Sequence, residues 1–139
     1  IVDRHFRTSA PSIYALGDVI DRVQLTPVAL AEAMNLVAHL YRGSDLEMDY
    51  DNIPTAVFCQ PDIGTVGLSE EVAREQGHDV LIYRSEFREL KHSLSGSDER
   101  SLMKLVVDKD TDQVLGVHIV GGSAAEIPRA SPSRAGTAP

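Results

Sequence analysis

The stretch TSAPSIYALGDV (residues 8–19), followed by LTPVAL (25–30), decides how this chain is read. Ile13 to Leu16 is a short apolar run ending in Gly17-Asp18. Four such residues bounded by turn formers predict a short buried strand. Gly17 then permits a close turn and leaves Asp18 at the strand's C-terminal end, where open α/β sheets bind ligands. Further on, Thr26 is expected to cap a helix whose first position suits Pro27. A carboxylate at a strand end can hold a sugar-like hydroxyl. A helix N-terminus offers free N–H groups and a positive partial charge, which suit an anion or an electron-rich carbonyl. Together they suit a polyol linker beside a polarised ring. The plain alternative is a surface aspartate and a buried helix, and spacing alone leaves both open.

Working outward, the helix predicted from about Pro27 to Arg42 is apolar nearly all round, so it is expected inside a larger body. Gly43 is its natural stop. The polar, acidic SDLEMDYDN (44–52) reads as a linker, with a domain boundary near Asp51. From Ile53 to Ile127 the pattern is α+β. TAVFC (55–59), GTVGL (64–68) and DVLIYRSEF (79–87) read as strands, and Ser69 caps a short helix with Glu70 and Glu71 in its first turn. LMKLVVD (102–108) and QVLGVHIVG (113–121) flank the turn-rich DKDT and read as a hairpin, which gives an antiparallel meander with one helix. The last stretch, PRASPSRAGTAP (128–139), has no large apolar residue and is expected to be disordered. It carries Arg129 and Arg134 and no acid.

The 139 residues carry 13 basic and 21 acidic side chains, a net charge of −8. That sign argues against nucleic acid or an anionic membrane as main partner. No apolar run approaches the length of a membrane span, and IVDRHFRTSA has no apolar core of signal-peptide type, so a cytoplasmic location is expected. The single cysteine, Cys59, can form no internal disulfide and supplies no dithiol. It follows a β-prone run and reads as a small buried hydrophobe. The five histidines (5, 39, 78, 92, 118) are scattered, without ligand spacing, so no metal site is expected. Gly64 and Gly67 sit inside a strand pattern and make no phosphate loop. Gly96 in HSLSGSDER reads as an isolated turn glycine, and the acid pairs Glu70-Glu71 and Asp98-Glu99 as exposed faces.

As strings, these residues say more than their spacings. TSAPSIYALGDV is similar to the second flavin-binding motif of flavoproteins with two dinucleotide domains, and LTPVAL resembles the helix start that follows it. IPTAVFCQPDIGTVGLSEEVA (53–73) looks like the opening of the dimerisation domain of the pyridine-nucleotide disulfide oxidoreductases. FRELKHSLSGSDERSLMKLVVD (87–108) narrows the resemblance toward glutathione reductases of a bacterial type. The implied cofactors are FAD and, in the whole enzyme, NADPH. The implied partners are a second subunit in a homodimer and glutathione disulfide as substrate. Among cofactor-binding positions, Gly17 and Asp18 match the flavin motif, with Asp18 on a ribityl hydroxyl. Leu25 and Thr26 match the helix start, with the Thr26 N–H on the flavin's pyrimidine oxygen. Gln24 and Ala56 match positions on the nicotinamide side. Leu90 matches a position that touches the disulfide substrate. Met34 departs from the pattern, because several glutathione reductases place there an arginine facing a substrate carboxylate, and a thioether makes no bidentate contact.

The resemblance implies the end of an FAD-binding α/β domain (1–51), then an antiparallel-sheet dimerisation domain (52–127) truncated at its C-terminus, then a non-family tail (128–139). The family's first flavin motif, paired cysteines, NADPH domain and C-terminal catalytic histidine are not in this sequence. A truncation or a reading-frame slip at about residue 127, and a chain inactive by itself, are therefore expected. Two rivals stay open: another member such as a dihydrolipoyl dehydrogenase or mercuric reductase type, and a cofactor-free dimerisation module.

Overall fold

The structure, a computed structural model, describes residues 1–130. The chain divides into two compact units, Ile1–Tyr50 and the part from Asp51 onward.

The first unit opens with a tight loop. The Asp3 carboxylate accepts the backbone N–H groups of His5 and Arg7, each at 2.9 Å. Phe6 adopts a φ of 65° and is fully buried. The N–H of Thr8 donates to the Ile13 carbonyl and that of Ala15 to the Phe6 carbonyl, both at 2.9 Å. This small hairpin contains one ladder bridge, Arg7 to Tyr14. The expected buried strand at 13–16 is thus not formed, and Ile13 is 55% exposed. A strand becomes buried when sheet neighbours flank it and another layer covers it. Here Arg7 alone pairs with it among the described residues.

Gly17–Ile20 is a 3-10 helix, closed by Asp21 in the left-handed region. Helix α1 spans Thr26–Arg42. Its N-cap is Leu25, in extended conformation, and Thr26 is already helical with no side-chain cap bond. The hydroxyl cap expected of Thr26 is therefore absent, and the preset φ of Pro27 in the first turn starts the helix without it. Gly43, at φ 66°, ends it. Of α1 only Val28 and Glu32 are buried. Leu30, Met34, Val37, Leu40 and Tyr41 are exposed, so the apolar surface expected to lie inside a larger body is left uncovered by the described residues. Nor is 44–50 a free linker. Asn35 donates to the Leu46 carbonyl at 3.0 Å, His39 Nδ1 to that of Ser44 at 2.9 Å, and the Tyr50 hydroxyl to Glu32 at 2.7 Å. The polar side chains of α1 draw this segment back along the helix.

The second unit is a five-stranded antiparallel sheet in the order β1-β2-β5-β4-β3, with β1 Thr55–Val57, β2 Ile63–Gly67, β3 Val80–Phe87, β4 Ser101–Asp108 and β5 Val114–Val120. The predicted hairpin is β4–β5, closed where Asp108 Oδ1 accepts N–H groups from Asp110 and Thr111 and the Thr111 hydroxyl. The sheet is not a simple meander, because β2 pairs with β5. That long-range pairing puts His118 opposite Thr65. The Leu68 carbonyl can only accept, so His118 Nε2 donates to it at 3.1 Å, while Nδ1 meets the Thr65 hydroxyl at 2.6 Å.

Helix α2, Glu70–Glu75, starts as expected, with Ser69 accepting the Val72 N–H. It lays Ala73 on Val80 and Val106 to form the core, with Leu68, Ile82 and Leu115 around it. Short helix α3, His92–Ser95, ends at Gly96 in the left-handed region. Short helix α4, Ile127–Ala130, packs on β2, where a Cβ on Gly64 would lie 1.9 Å from the Ala124 carbonyl oxygen. Pro128 is fully buried, so the tail expected to be disordered from 128 begins inside this packed helix. The rest of that expectation, 131–139, lies outside the described residues.

Candidate functional site

The turn singled out in the sequence, Gly17-Asp18, is anchored from beneath. Gly17 is buried at φ 70°, and a Cβ there would press to 3.2 Å from the Ala29 Cβ. Its N–H donates to Glu32 Oε2 at 2.6 Å. Glu32 is 1% exposed, and its Oε1 accepts the Tyr50 hydroxyl. Tyr50 accepts in turn from Arg22 at 3.1 Å, whose guanidinium lies 5.4 Å from the ring centroid. A buried carboxylate persists only when its oxygens are satisfied, and here a backbone amide and a phenol do so. Burial raises the Tyr50 phenol above its usual pKa, the Glu32 carboxylate adds to the rise, and Arg22 opposes it.

This clamp fixes the 3-10 turn on the middle of α1 and leaves Asp18 exposed. The Asp18 carbonyl accepts the Asp21 N–H at 3.1 Å, and Asp21 Oδ1 accepts the Gln24 side-chain amide at 2.8 Å. Leu25 gives its carbonyl to the N–H groups of Val28 and Ala29. Thr26 stands exposed at the helix start, where the first N–H groups lack intrahelical acceptors. Gly17, Asp18, Gln24, Leu25 and Thr26 therefore lie along one short stretch of the first unit. Met34 is exposed on α1. Ala56 is half-buried in β1 opposite Gly64, and Leu90 is exposed before α3, both in the second unit.

Sequence reasoning missed Glu32, Tyr50 and Arg22. A signal for the first was present: Glu32 is the sole acid between Thr26 and Arg42. A lone carboxylate among apolar helix residues implies a partner. Tyr50 had no such signal inside its acidic stretch.

Two other expectations change. Cys59 is exposed, not buried, because β1 stops at Val57 and the thiol falls in the turn with the cis Gln60–Pro61 bond. It contacts the Pro61 carbonyl at 3.1 Å and borders a groove of about 470 Å³ lined also by Glu89, His92, Arg100 and Ser101. The histidines are not all scattered, since His5 and His39 stack with ring centroids 3.8 Å apart.

Among the described residues no helix is long and apolar enough to cross a membrane. A family profile described as "Pyridine nucleotide-disulphide oxidoreductase, dimerisation domain" matches residues 53–130, three residues past the point where the resemblance was expected to stop. The chain is 49% identical over 126 residues to a glutathione reductase of Burkholderia cepacia, covering 91% of this chain and 28% of that protein. It is also 49% identical to the chloroplastic/mitochondrial glutathione reductase of Pisum sativum, over 91% of this chain and 23% of that protein. To trypanothione reductase of Leishmania donovani it is 41% identical, over 91% of this chain and 26% of that protein. It thus spans about a quarter of the length of these relatives. Among solved structures, the Cu(II) complex of the HOCl-induced flavoprotein disulfide reductase RclA from Escherichia coli superposes with a TM-score of 0.82 at 28% identity, over 93% of this chain and 30% of that one. With the antiparallel sheet, the family profile and these relatives in agreement, the chain belongs to the pyridine nucleotide-disulphide oxidoreductases and carries their dimerisation domain over residues 53–130.

Proposed function

We propose that the chain is part of an FAD-dependent NADPH:glutathione-disulfide oxidoreductase, to which it contributes half of the flavin site and the surface of a homodimer. The carrying observation is the buried Glu32 clamp on Gly17, which presents the Asp18 carboxylate outward a few residues before the N-terminus of α1. The residues present fit a flavin. Asp18 would accept from a ribityl hydroxyl, the Thr26 N–H would donate to the pyrimidine carbonyl, and the positive end of α1 would favour negative charge on that edge of the ring. FAD held by these residues would supply hydride-accepting and electron-transfer chemistry between NADPH and a cysteine pair. This chain supplies no such pair, since Cys59 is its single cysteine. Gln24 and Ala56 serve the nicotinamide side, and Leu90 the disulfide substrate. The boundary near residue 51 separates the flavin part from the dimerising part. The net charge of −8 speaks against nucleic acid or an anionic membrane as partner. A cytoplasmic location belongs to the same proposal, and fractionation of the source cells checks it.

Met34 favours a second reading at the level of substrate. Its thioether cannot form the paired hydrogen bonds that an arginine makes to a carboxylate. Either other groups hold the glutathione carboxylate or the disulfide differs, as it does for the trypanothione reductase relative.

The test replaces the matching segment of the Burkholderia cepacia glutathione reductase with residues 1–126 of this chain. The chimera is expected to purify yellow and to reduce glutathione disulfide with NADPH. Asp18→Ala is expected to lower flavin occupancy severalfold. A folded dimeric chimera without flavin would sink the reading. One that holds flavin, oxidises NADPH and spares glutathione disulfide would move it to the second substrate reading.

A further inference from the structure

Outside the flavin-side turn, the first unit brings together two imidazoles and a carboxylate that the sequence keeps 34 and six residues apart: His5, His39 and Asp45. One ligand atom from each lies within 4.8 Å of the others. We propose that this cluster is a divalent transition-metal site, with zinc(II) as its first occupant and water completing the coordination.

Each side chain is positioned by its own element. His5 sits on the 3–7 loop held by the Asp3 carboxylate and by the buried Phe6. His39 lies in the last turn of α1, whose negative end favours a cation. Asp45 follows the Gly43 stop. The Ser44 carbonyl can only accept, so the His39 Nδ1 bonded to it carries the proton and leaves the lone pair on Nε2. Ligating histidines usually have this kind of second bond, which sets the tautomer and the ring orientation.

His5 supplies the second, independent observation. Its residue is 9% exposed, and both ring nitrogens are buried without a hydrogen bond. Nε2 lies 3.0 Å from Asp45 Oδ1 yet is not aligned on it as a donor. A shared ion at ~2.0–2.2 Å from nitrogen and oxygen sets its ligand atoms roughly 3.3 Å apart at the tetrahedral angle, with their lone pairs aimed between them. Two imidazoles, one carboxylate and an open fourth position form a ligand set suited to zinc or copper and poorly suited to calcium or magnesium.

Two features oppose binding and shape the test. The rings stack nearly parallel, at 7°, so their lone pairs converge only after the rings splay. Arg4 reaches Asp45 at 3.5 Å, although its shorter bond, 2.9 Å, is to Glu47 and can be kept.

The 139-residue chain is titrated with zinc chloride against a chromophoric chelator at pH 7.5, and ring 15N spectra of the same unmodified chain are followed. Saturable uptake of one zinc per chain is expected, with shifts confined to His5 and His39 among the five histidines. His39→Gln and Asp45→Asn are each expected to weaken binding roughly 10- to 100-fold, with far-UV spectra unchanged. No saturable uptake overturns the proposal, as do shifts at His78, His92 or His118 in place of His5 and His39. If a variant fails to fold, the ring spectra of the unmodified chain decide alone.

Discussion

At the residue scale, one carboxylate organises the first unit. Glu32 satisfies the Gly17 N–H and the Tyr50 hydroxyl from inside α1, so Glu32→Ala strands both donors. A buried unpaired donor costs ~1–3 kcal/mol, and a total loss of about 3 kcal/mol is expected in urea unfolding of this unit. Glu32→Gln keeps one accepting oxygen and is expected to lose about half as much. In the second unit, His78 first, and then Thr111, hold the Asp108 carboxyl down from 3.8 to about 2. The folded state therefore prefers the ionised form. Its contribution is present above the unfolded value of 3.8 and is lost as pH falls through about 2. Urea midpoints measured from about pH 5 downward are expected to drop on this limb, and Asp108→Asn is expected to flatten it. An equally steep limb in the variant would mean that other carboxylates carry the acid sensitivity.

At the element scale, helix starts and close approaches were unequally visible. Ser69 was legible as a cap because Ser followed by two acids is a local signal, and Ser69→Ala is expected to cost about 1 kcal/mol in thermal unfolding. Thr26-Pro27 looked like the same device, but Pro27 begins α1 without the hydroxyl. Gly64 read correctly as a strand residue, but its purpose lies in α4 and the Ala124 backbone, both distant in sequence. Gly64→Ala has no room at 1.9 Å from that carbonyl and is expected to destabilise by about 3 kcal/mol, the upper range for overpacking. Limited proteolysis is then expected to cut first at 121–127, where α4 has lifted from β2.

For the whole molecule, α1 is the element whose amino acids and surroundings disagree. Leu30, Met34, Val37, Leu40 and Tyr41 are exposed in this chain, and an apolar face of that kind promotes association. Light scattering is expected to find the isolated chain self-associating, and Leu30→Lys with Val37→Lys to reduce this at unchanged helix content. The isolated chain is also expected to show no NADPH-dependent disulfide reduction, since one thiol makes no redox pair. The sequence by itself determined the α+β pattern, the β4–β5 hairpin, the ends of α1 and the Gly17-Asp18 turn, because these depend on local signals: alternation, proline and glycine conformation, and short caps. Family membership was legible for the same reason, as contiguous strings. Tertiary structure alone decided that β2 crosses to pair with β5, that the run at 13–16 stays a single bridge, that Cys59 is exposed, and that Glu32 reaches Gly17 while His5 meets His39 beside Asp45. The β2–β5 pairing, the Glu32–Gly17 bond and the His5–His39–Asp45 cluster are contacts between residues well separated in the chain, and the other two record where such contacts do not form. Such contacts form only when the loss of chain entropy is offset by burial or by a satisfied polar group, and that balance is struck between distant partners that no local stretch of sequence describes.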